Sequence, residues 1–203
     1  MKSYLTIGQE ATAEFKMLES KFIAYAYPIS NTATFKVRLD DLRRLHPKAS
    51  HHCFAYRLGT DGSNSRANDD GEPSGTAGRP ILGQIDSRNL TDTLVIVVRY
   101  FGGTLLGIPR LTNSYKTAAS LVLQCTTTVE KYILRNVSIE CSYAELHEVI
   151  QILKQSQSEI TEQELQLFCH IKAGIPAPSF DEIVDQLHRI NNVIVHESIK
   201  SIR

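Results

Sequence analysis

The segment LVIVV, residues 94–98, decides the fold of this chain, and it runs directly into RYFGG at residues 99–103. All of its residues are apolar and most are β-branched, which is typical of a strand buried on both faces of a sheet. We therefore predict a central strand that ends at the glycine pair. Pro109 fits the first turn of the helix that follows.

The elements on either side of this strand are predicted from their hydrophobic periodicity. Ser30 and Asn31 are suited to cap a helix whose apolar residues recur every three or four positions until Pro47 ends it. Residues 59–80 are dense in Gly, Asp, Asn, Ser and Pro, so we predict one long loop there. The predicted strands of this half are residues 22–27, 53–58, 94–98 and 129–134.

The second half of the chain shows the element order β-α-β-β-α-β, which is the ferredoxin-like arrangement. Its predicted strands are residues 137–141, 159–164, 167–173 and 193–195, and its predicted helices are residues 146–153 and 180–187. We expect an α+β protein of two domains, residues 1–135 and residues 136–203.

Composition indicates a folded chain without excess charge. Of its 203 residues 42% are hydrophobic, and 22 basic residues balance 22 acidic ones. This neutrality removes the global electrostatic argument for nucleic-acid binding, although a local basic patch stays compatible with it. The longest apolar run is too short to cross a bilayer and the N-terminus has no apolar targeting region, so we expect a cytoplasmic protein without a membrane partner.

The four cysteines do not indicate a zinc site or a disulfide framework. No two of them form a C-x-x-C pair, so we predict buried, reduced thiols. These residues are Cys53, Cys125, Cys141 and Cys169.

The loop NDDGEPSGTAGRP, residues 68–80, is the most unusual stretch of the sequence. It combines carboxylates, hydroxyls, glycines and prolines, and we favour a rigid binding loop over a purely structural turn. Asp69, Asp70 and Glu72, helped by His52, also leave open a magnesium site and thus a metal-assisted hydrolase. The patterns of a P-loop, an EF-hand and a nucleophile elbow are absent. We rank the structural role of these carboxylates above catalysis, and we predict no cofactor.

Two further features are relevant to the loop. His51 and His52 point to opposite faces of their strand, so both do not serve one metal; we predict that the inward one is hydrogen-bonded near Asp69 or Asp70. The glycine turn after Arg99 exposes amides ahead of a helix, where an anion can bind. The alternative, that the glycines merely permit the turn, stays open.

Four strings resemble the IMPACT/YigZ family: SKFIA at 20–24, HPKASHHCFAYR at 46–57, DDGEPSGTAGRPIL at 69–82 and VVRYFGG at 97–103. The resemblance implies a first domain similar to domain two of ribosomal protein S5 and to domain IV of elongation factor G. It implies a second domain similar to domain V of that factor. Eukaryotic members regulate translation initiation by competing for an activator of the starvation-responsive initiation-factor kinase, and ribosome or nucleic-acid binding is inferred for bacterial members by analogy of fold.

The sequence departs from the family after the glycine pair, where TLLGIPRLTNSY stands at residues 104–115 in place of a string resembling IKLGTGGLVRAY. Leu105 replaces a lysine, Asn113 replaces an arginine, and Pro109 and Arg110 replace a glycine pair. The departure weakens the hypothesis of an anion site at this turn.

The leading hypothesis is a non-catalytic, translation-linked binding protein whose partner is the ribosome, RNA or a translation-regulatory protein. The alternatives are a metal-assisted hydrolase or other small-molecule enzyme, and a protein–protein regulator that never touches nucleic acid. The predicted partner-binding residues are Asp69, Asp70, Glu72, Ser74, Thr76, Arg79, Arg99, Tyr100, Gly102 and Gly103, with His52 and Arg57 as structural support.

Overall fold

The protein is described here by a computed structural model of residues 2–197. It is a mixed α+β protein that divides into two compact units. One unit is Tyr4–Lys131, and the other contains the described residues from Tyr132 on together with Lys2 and Ser3. Each unit has a hydrophobic core of its own, as a separately packed domain requires.

The first unit is built on a five-stranded antiparallel sheet of order β2-β3-β6-β4-β5, while β1 and β7 pair in a small separate sheet. Its strands are β1 (Ser3–Ile7), β2 (Ala11–Met17), β3 (Ser20–Pro28), β4 (His51–Leu58), β5 (Asn64–Asn68), β6 (Thr93–Tyr100) and β7 (Thr128–Tyr132). Its helices are α1 (Thr32–Leu45), α2 (Gly78–Asp86) and α3 (Gly107–Gln124).

Strand β6 is the central strand that the sequence predicts. Residues 94–98 are fully buried, because Leu94, Ile96 and Val98 face α1 while Val95 and Val97 face α2 and α3. The alternation also places Arg99 on the side of α3 and Tyr100 on the side of α1. This separation of neighbouring residues positions the candidate site.

Helix α1 covers one face of the sheet through an apolar stripe. Asn31 caps it as predicted, since its side-chain oxygen accepts a hydrogen bond of 2.9 Å from the Thr34 amide. Phe35, Leu39 and Leu42 are buried, and the Phe35 ring lies 4.7 Å from the ring of Phe54 on β4.

The prediction of one unstructured loop over residues 59–80 was wrong at both of its ends. Strand β5 lies inside that range, and α2 begins at Gly78. Strand β5 is a polar edge strand, so it lacks the apolar alternation by which strands are found. Strands β1 and β2 were not predicted either. The buried-thiol prediction was wrong for Cys125, which is exposed just after α3.

The second unit has the predicted order of elements. They are β8 (Leu134–Cys141), α4 (Leu146–Gln155), β9 (Glu159–Leu165), β10 (Cys169–Pro176), α5 (Phe180–His188) and β11 (Ile194–Glu197). The strands form an antiparallel sheet of order β11-β8-β10-β9, and α4 and α5 pack over one face of it. No helix within residues 2–197 is long and apolar enough to span a membrane.

Replacing Phe35 by alanine should lower the free energy of unfolding by about 3–5 kcal/mol, because it leaves a cavity between α1 and the sheet. Urea unfolding followed by circular dichroism measures the change. Val37→Ala on the same helix is the matched control, since Val37 is 57% exposed. Equal effects of the two substitutions would contradict the described packing of α1.

Candidate functional site

The segment between β5 and α2, residues 69–77, is held in shape by the carboxylate of Asp69; we call this segment the acidic loop. The carboxylate accepts hydrogen bonds from the backbone amides of Gly75 (2.9 Å), Ala77 (3.0 Å) and Gly78 (2.8 Å). It thereby closes the loop and serves the amides at the start of α2, where the N-cap residue Ala77 offers no side-chain acceptor.

The ionisation of Asp69 reflects this arrangement. Burial raises the pKa of its carboxyl, but the amide hydrogen bonds of Gly75, Gly78 and Ala77 together outweigh burial. The pKa therefore lies below its ordinary value. The ionised form is the one that holds the loop.

Asp70 attaches the acidic loop to the start of β4. Its Oδ2 accepts a 2.7 Å hydrogen bond from the amide of His52, and its carbonyl oxygen lies 2.9 Å from Nδ1 of His51. Its Oδ1 also lies 3.4 Å from Nη2 of Arg43. The backbone of Asp70 has a φ of 42°, in the left-handed region, and Gly71 follows with a φ of 88°. These contacts fix the turn.

The two histidines lie on opposite faces of β4, as predicted, but the hydrogen bond to the loop is made by the ring of the half-buried His51 and not by the inward one. The buried ring is that of His52, whose Nδ1 stays 4.0 Å from Oδ2 of Asp70. Burial lowers the pKa of His52, against the opposing charge of Asp70. The backbone of His52, rather than its ring, supports the loop.

Glu72 is the deepest charged residue of the acidic loop. Its Oε1 accepts hydrogen bonds from Nη1 of Arg99 (2.7 Å) and from the hydroxyl of Tyr115 on α3 (2.6 Å). The side chains of Glu72 and Arg99 are only 4% and 6% exposed. Because a buried charge is stable only when it is paired and hydrogen-bonded, Glu72 and Arg99 depend on each other.

Several neighbours complete this buried pair. Nη2 of Arg99 donates to the hydroxyl of Ser20 at 3.3 Å, and its guanidinium lies 5.5 Å from the ring centres of Phe22 and of Phe101. The thiol of Cys53 lies 3.3 Å from the Tyr115 hydroxyl. Burial raises the pKa of both the Cys53 thiol and the Tyr115 phenol well above their ordinary values. The Cys53 thiol and the Tyr115 phenol therefore stay protonated, and the ion pair of Glu72 and Arg99 lies between neutral side chains.

The three carboxylates of the loop do not converge. Asp69 binds the loop's own amides, Asp70 binds β4, and Glu72 binds Arg99 and Tyr115. Among residues 2–197, no group of three or more His, Cys, Asp or Glu side chains is placed to hold a metal ion. The geometry gives no support to the hypothesis of a metal-assisted hydrolase that uses these residues.

The remaining predicted residues divide by exposure. Ser74 and Arg79 are exposed on the loop and on the start of α2. Thr76 is buried and donates to the carbonyl of Pro73 at 2.7 Å, so it shapes the loop. Tyr100 bonds instead to His46, with 2.9 Å between its hydroxyl and Nδ1, on the sheet face away from Arg99.

Arg57 and the glycine turn lie outside the acidic loop. Arg57 bridges the β4–β5 hairpin, because its Nε donates to the carbonyl of Gly62 at 3.0 Å. Gly102 and Gly103 are exposed. A Cβ on Gly102 would lie 2.0 Å from the carbonyl oxygen of Glu19, and Gly103 has a φ of 89°. The glycines thus serve close packing and the turn itself.

Sequence reasoning missed a cavity of about 370 Å³ beside the acidic loop. The missed lining residues come from the stretch that follows the glycine pair. The signal was the apolar run LLGIP at residues 105–109, which was interpreted only as a loss of charge. The cavity is lined by His51, Glu72, Pro73, Arg99, Phe101, Leu105, Leu106, Gly107, Ile108 and Leu111.

The region that contains the candidate site matches a known protein family. The profile of the Impact N-terminal domain matches residues 18–123, the range that contains β3, the acidic loop and the β6–α3 turn. The chain belongs to the IMPACT family. It is 31% identical to the IMPACT family member YigZ of Escherichia coli over 189 residues, which cover 92% of this chain and 93% of that protein.

One further relative and one solved structure extend the comparison. The chain is 29% identical to the Protein IMPACT of Xenopus laevis over 119 residues, which cover 55% of this chain and 38% of that protein. A crystal structure of a protein described as hypothetical matches with a TM-score of 0.78 and 29% identity, over 99% of both chains. The chain thus shares the architecture of a solved protein across both units.

Replacing Asp69 by asparagine should lower the free energy of unfolding by about 2–3 kcal/mol at neutral pH, because an amide group cannot satisfy all three backbone donors. The folded pKa of Asp69 is depressed, so its contribution is fully present above the unfolded pKa of about 3.9 and is lost as pH falls through the folded value. The difference between wild type and variant should therefore shrink in acid, as urea titrations at several pH values would show. Asp40→Asn, on the exposed face of α1, is the control; a difference that grew in acid would contradict the assignment.

Replacing Glu72 by glutamine should cost about 3 kcal/mol of stability, because it leaves the charge of Arg99 buried and unpaired. In a double-mutant cycle with Arg99→Met, the double variant should lose less than the sum of the two single variants. Thermal or urea unfolding of all four proteins measures the coupling. Additive effects would show that the two side chains do not interact.

Proposed function

We propose that this chain is a non-catalytic binding protein linked to the regulation of translation. The observation that carries the proposal is the complete internal use of the loop's carboxylates, above all the burial of Glu72 against Arg99 and Tyr115. A general base or metal ligand needs a side chain that can reach a substrate. Here the same groups stiffen a loop, as the scaffold of a recognition surface does.

The recognition surface is defined by the exposed residues around this anchor. On the acidic loop and the start of α2 they are Pro73, Ser74 and Arg79, and on the β6–α3 turn they are Phe101, Gly102 and Gly103. A rigid surface loses little conformational entropy when it binds. Asp69, Asp70 and Glu72 contribute to recognition by holding this surface in shape.

The translational link is supported by the family. The chain resembles Protein IMPACT of Xenopus laevis and carries the Impact N-terminal domain, which contains the recognition surface. The resemblance to this family implies a role in the regulation of translation initiation. We further propose that the first unit has the fold of domain two of ribosomal protein S5, and that the second has the ferredoxin-like fold of domain V of elongation factor G. The observed β-α-β-β-α-β order supports the second assignment. A cytoplasmic location belongs to the same proposal.

The observations favour a protein partner over RNA at this surface. Residues 101–109 contain no lysine or arginine, and the family's lysine is replaced by Leu105. Binding to phosphates gains its affinity mainly from cationic side chains. Phe101 and Arg79 instead provide an aromatic group and a guanidinium, residue types that dominate protein–protein interfaces.

Co-sedimentation of the purified protein with ribosomes of its own cell, across a salt series, tests the proposal. We expect binding at low salt, and we expect Arg79→Glu to reduce the bound fraction several-fold. Arg189→Glu is the matched control, because Arg189 is an exposed arginine of the second unit and is not among the residues that define the surface.

A parallel affinity purification with and without nuclease separates the partners. Capture of translation proteins that survives nuclease supports a protein partner, and loss of that capture assigns the contact to RNA. If neither ribosomal fractions nor translation proteins retain the chain at low salt, the proposed function is wrong.

A further inference from the structure

The cavity beside the acidic loop has the dimensions and the character of a small-molecule site. Its volume of about 370 Å³ falls in the range of ligand pockets, which are mostly apolar with a few polar groups at fixed places. Its apolar wall is formed by Phe101 and by the residues at the start of α3. Its polar floor is formed by His51, Glu72 and Arg99.

The rim of the cavity is more apolar than folding requires. Leu105 is 85% exposed, Ile108 is 62% exposed and Phe101 is 44% exposed. Bulky apolar side chains that cluster at the mouth of a pocket, rather than being scattered singly, mark a binding site. The wall between Phe101 and Pro109 contains no charged side chain. It therefore provides no electrostatic attraction for a polyanion.

The floor of the cavity also restricts the charge of a ligand. Glu72 and Arg99 form a closed ion pair with 2.7 Å between their polar atoms. Because the pair has no net charge, it gives neither an anion nor a cation a net electrostatic attraction. In a poorly solvated pocket neither charge regains its lost hydration. The polar end of a ligand is therefore uncharged.

The histidine on the floor determines which polar group fits. Nδ1 of His51 lies 2.9 Å from the carbonyl oxygen of Asp70, and a carbonyl can only accept. In the neutral ring Nδ1 therefore carries the proton, and Nε2 is an acceptor. This Nε2 lies 3.8 Å from Oε1 of Glu72, so two acceptors face each other. Because Oε1 already accepts from Arg99 and Tyr115, a hydroxyl or N–H donor that entered here would bond to Nε2 of His51.

We infer that the cavity binds a small, uncharged, mostly apolar molecule that carries one hydrogen-bond donor, with phenols as the simplest representatives. The apolar body contacts Phe101, Leu105 and Ile108, and the donor points at Nε2 of His51. This inference goes beyond the proposed function, because it concerns a small molecule and requires no macromolecular partner.

A titration of the isolated, methyl-labelled protein with phenol, anisole, benzoate and benzylamine tests the inference by NMR. Phenol should shift the methyl signals of Leu105, Leu106, Ile108 and Leu111 saturably, with a dissociation constant on the order of 1 mM, as expected for so small a ligand. Anisole lacks the donor, and benzoate and benzylamine carry charge, so each should bind at least tenfold more weakly. The methyl signals of Leu165 and Leu167 in the second unit should not move.

Two matched variants locate the site. Leu105→Glu should weaken phenol binding at least fivefold, whereas Leu167→Glu should leave it unchanged; the two leucines are 85% and 86% exposed. Absence of saturable shifts, or an equal loss in both variants, would show that the cavity is not a ligand site. Equal binding of phenol and of the charged probes would overturn the assigned polarity. Ribosome binding is measured separately, so each proposal can fail without the other.

Discussion

The buried pair of Glu72 and Arg99 is the interaction on which the first unit's surface depends. A carboxylate and a guanidinium that are both almost fully removed from water need hydrogen-bond partners, and here Tyr115 and Ser20 supply two, while Nε of Arg99 has none among residues 2–197. The pair joins an irregular loop to β6, β3 and α3 simultaneously. Removing one partner would leave a buried, unpaired charge under the loop, so the shape of the acidic loop depends on its contact with the end of β6.

The other loop carboxylates extend the same principle outward from this pair. Asp69 replaces the missing side-chain cap of α2, and Asp70 secures the start of β4. A loop that is so rich in charge would ordinarily be solvated and mobile. In this loop the carboxylates are hydrogen-bonded to other groups of the protein. They therefore fix the shape of the loop more than they add charge to the surface. This use of the carboxylates is the basis of the proposal that the loop serves recognition.

The sequence predicts those helices and strands whose buried residues recur with a clear hydrophobic period. It predicts less well the contacts between residues that are far apart in the sequence. Residues 94–98 were recognisable because both faces of β6 are buried, and α1 was recognisable because Asn31 and Pro47 delimit an apolar stripe. Strand β5 was not, because a polar edge strand has no apolar face. Glu72 and Arg99 were both singled out, but their pairing joins residues 27 positions apart and depends on which face of β6 each side chain takes. Tyr115 and Cys53 were missed as polar partners because their types are ordinary core residues.

The turn after the glycine pair has no charged side chain between residues 104 and 109, and its apolar side chains line a cavity. Leu105, Leu106 and Ile108 form an apolar side of the cavity. The floor of that cavity is the same Glu72–Arg99 pair that holds the acidic loop. Any molecule seated there touches the anchor of the loop directly, and because binding to one state of a structure stabilises that state, an occupied cavity would stiffen the recognition surface. The proposed recognition surface and the proposed ligand cavity therefore share one buried ion pair.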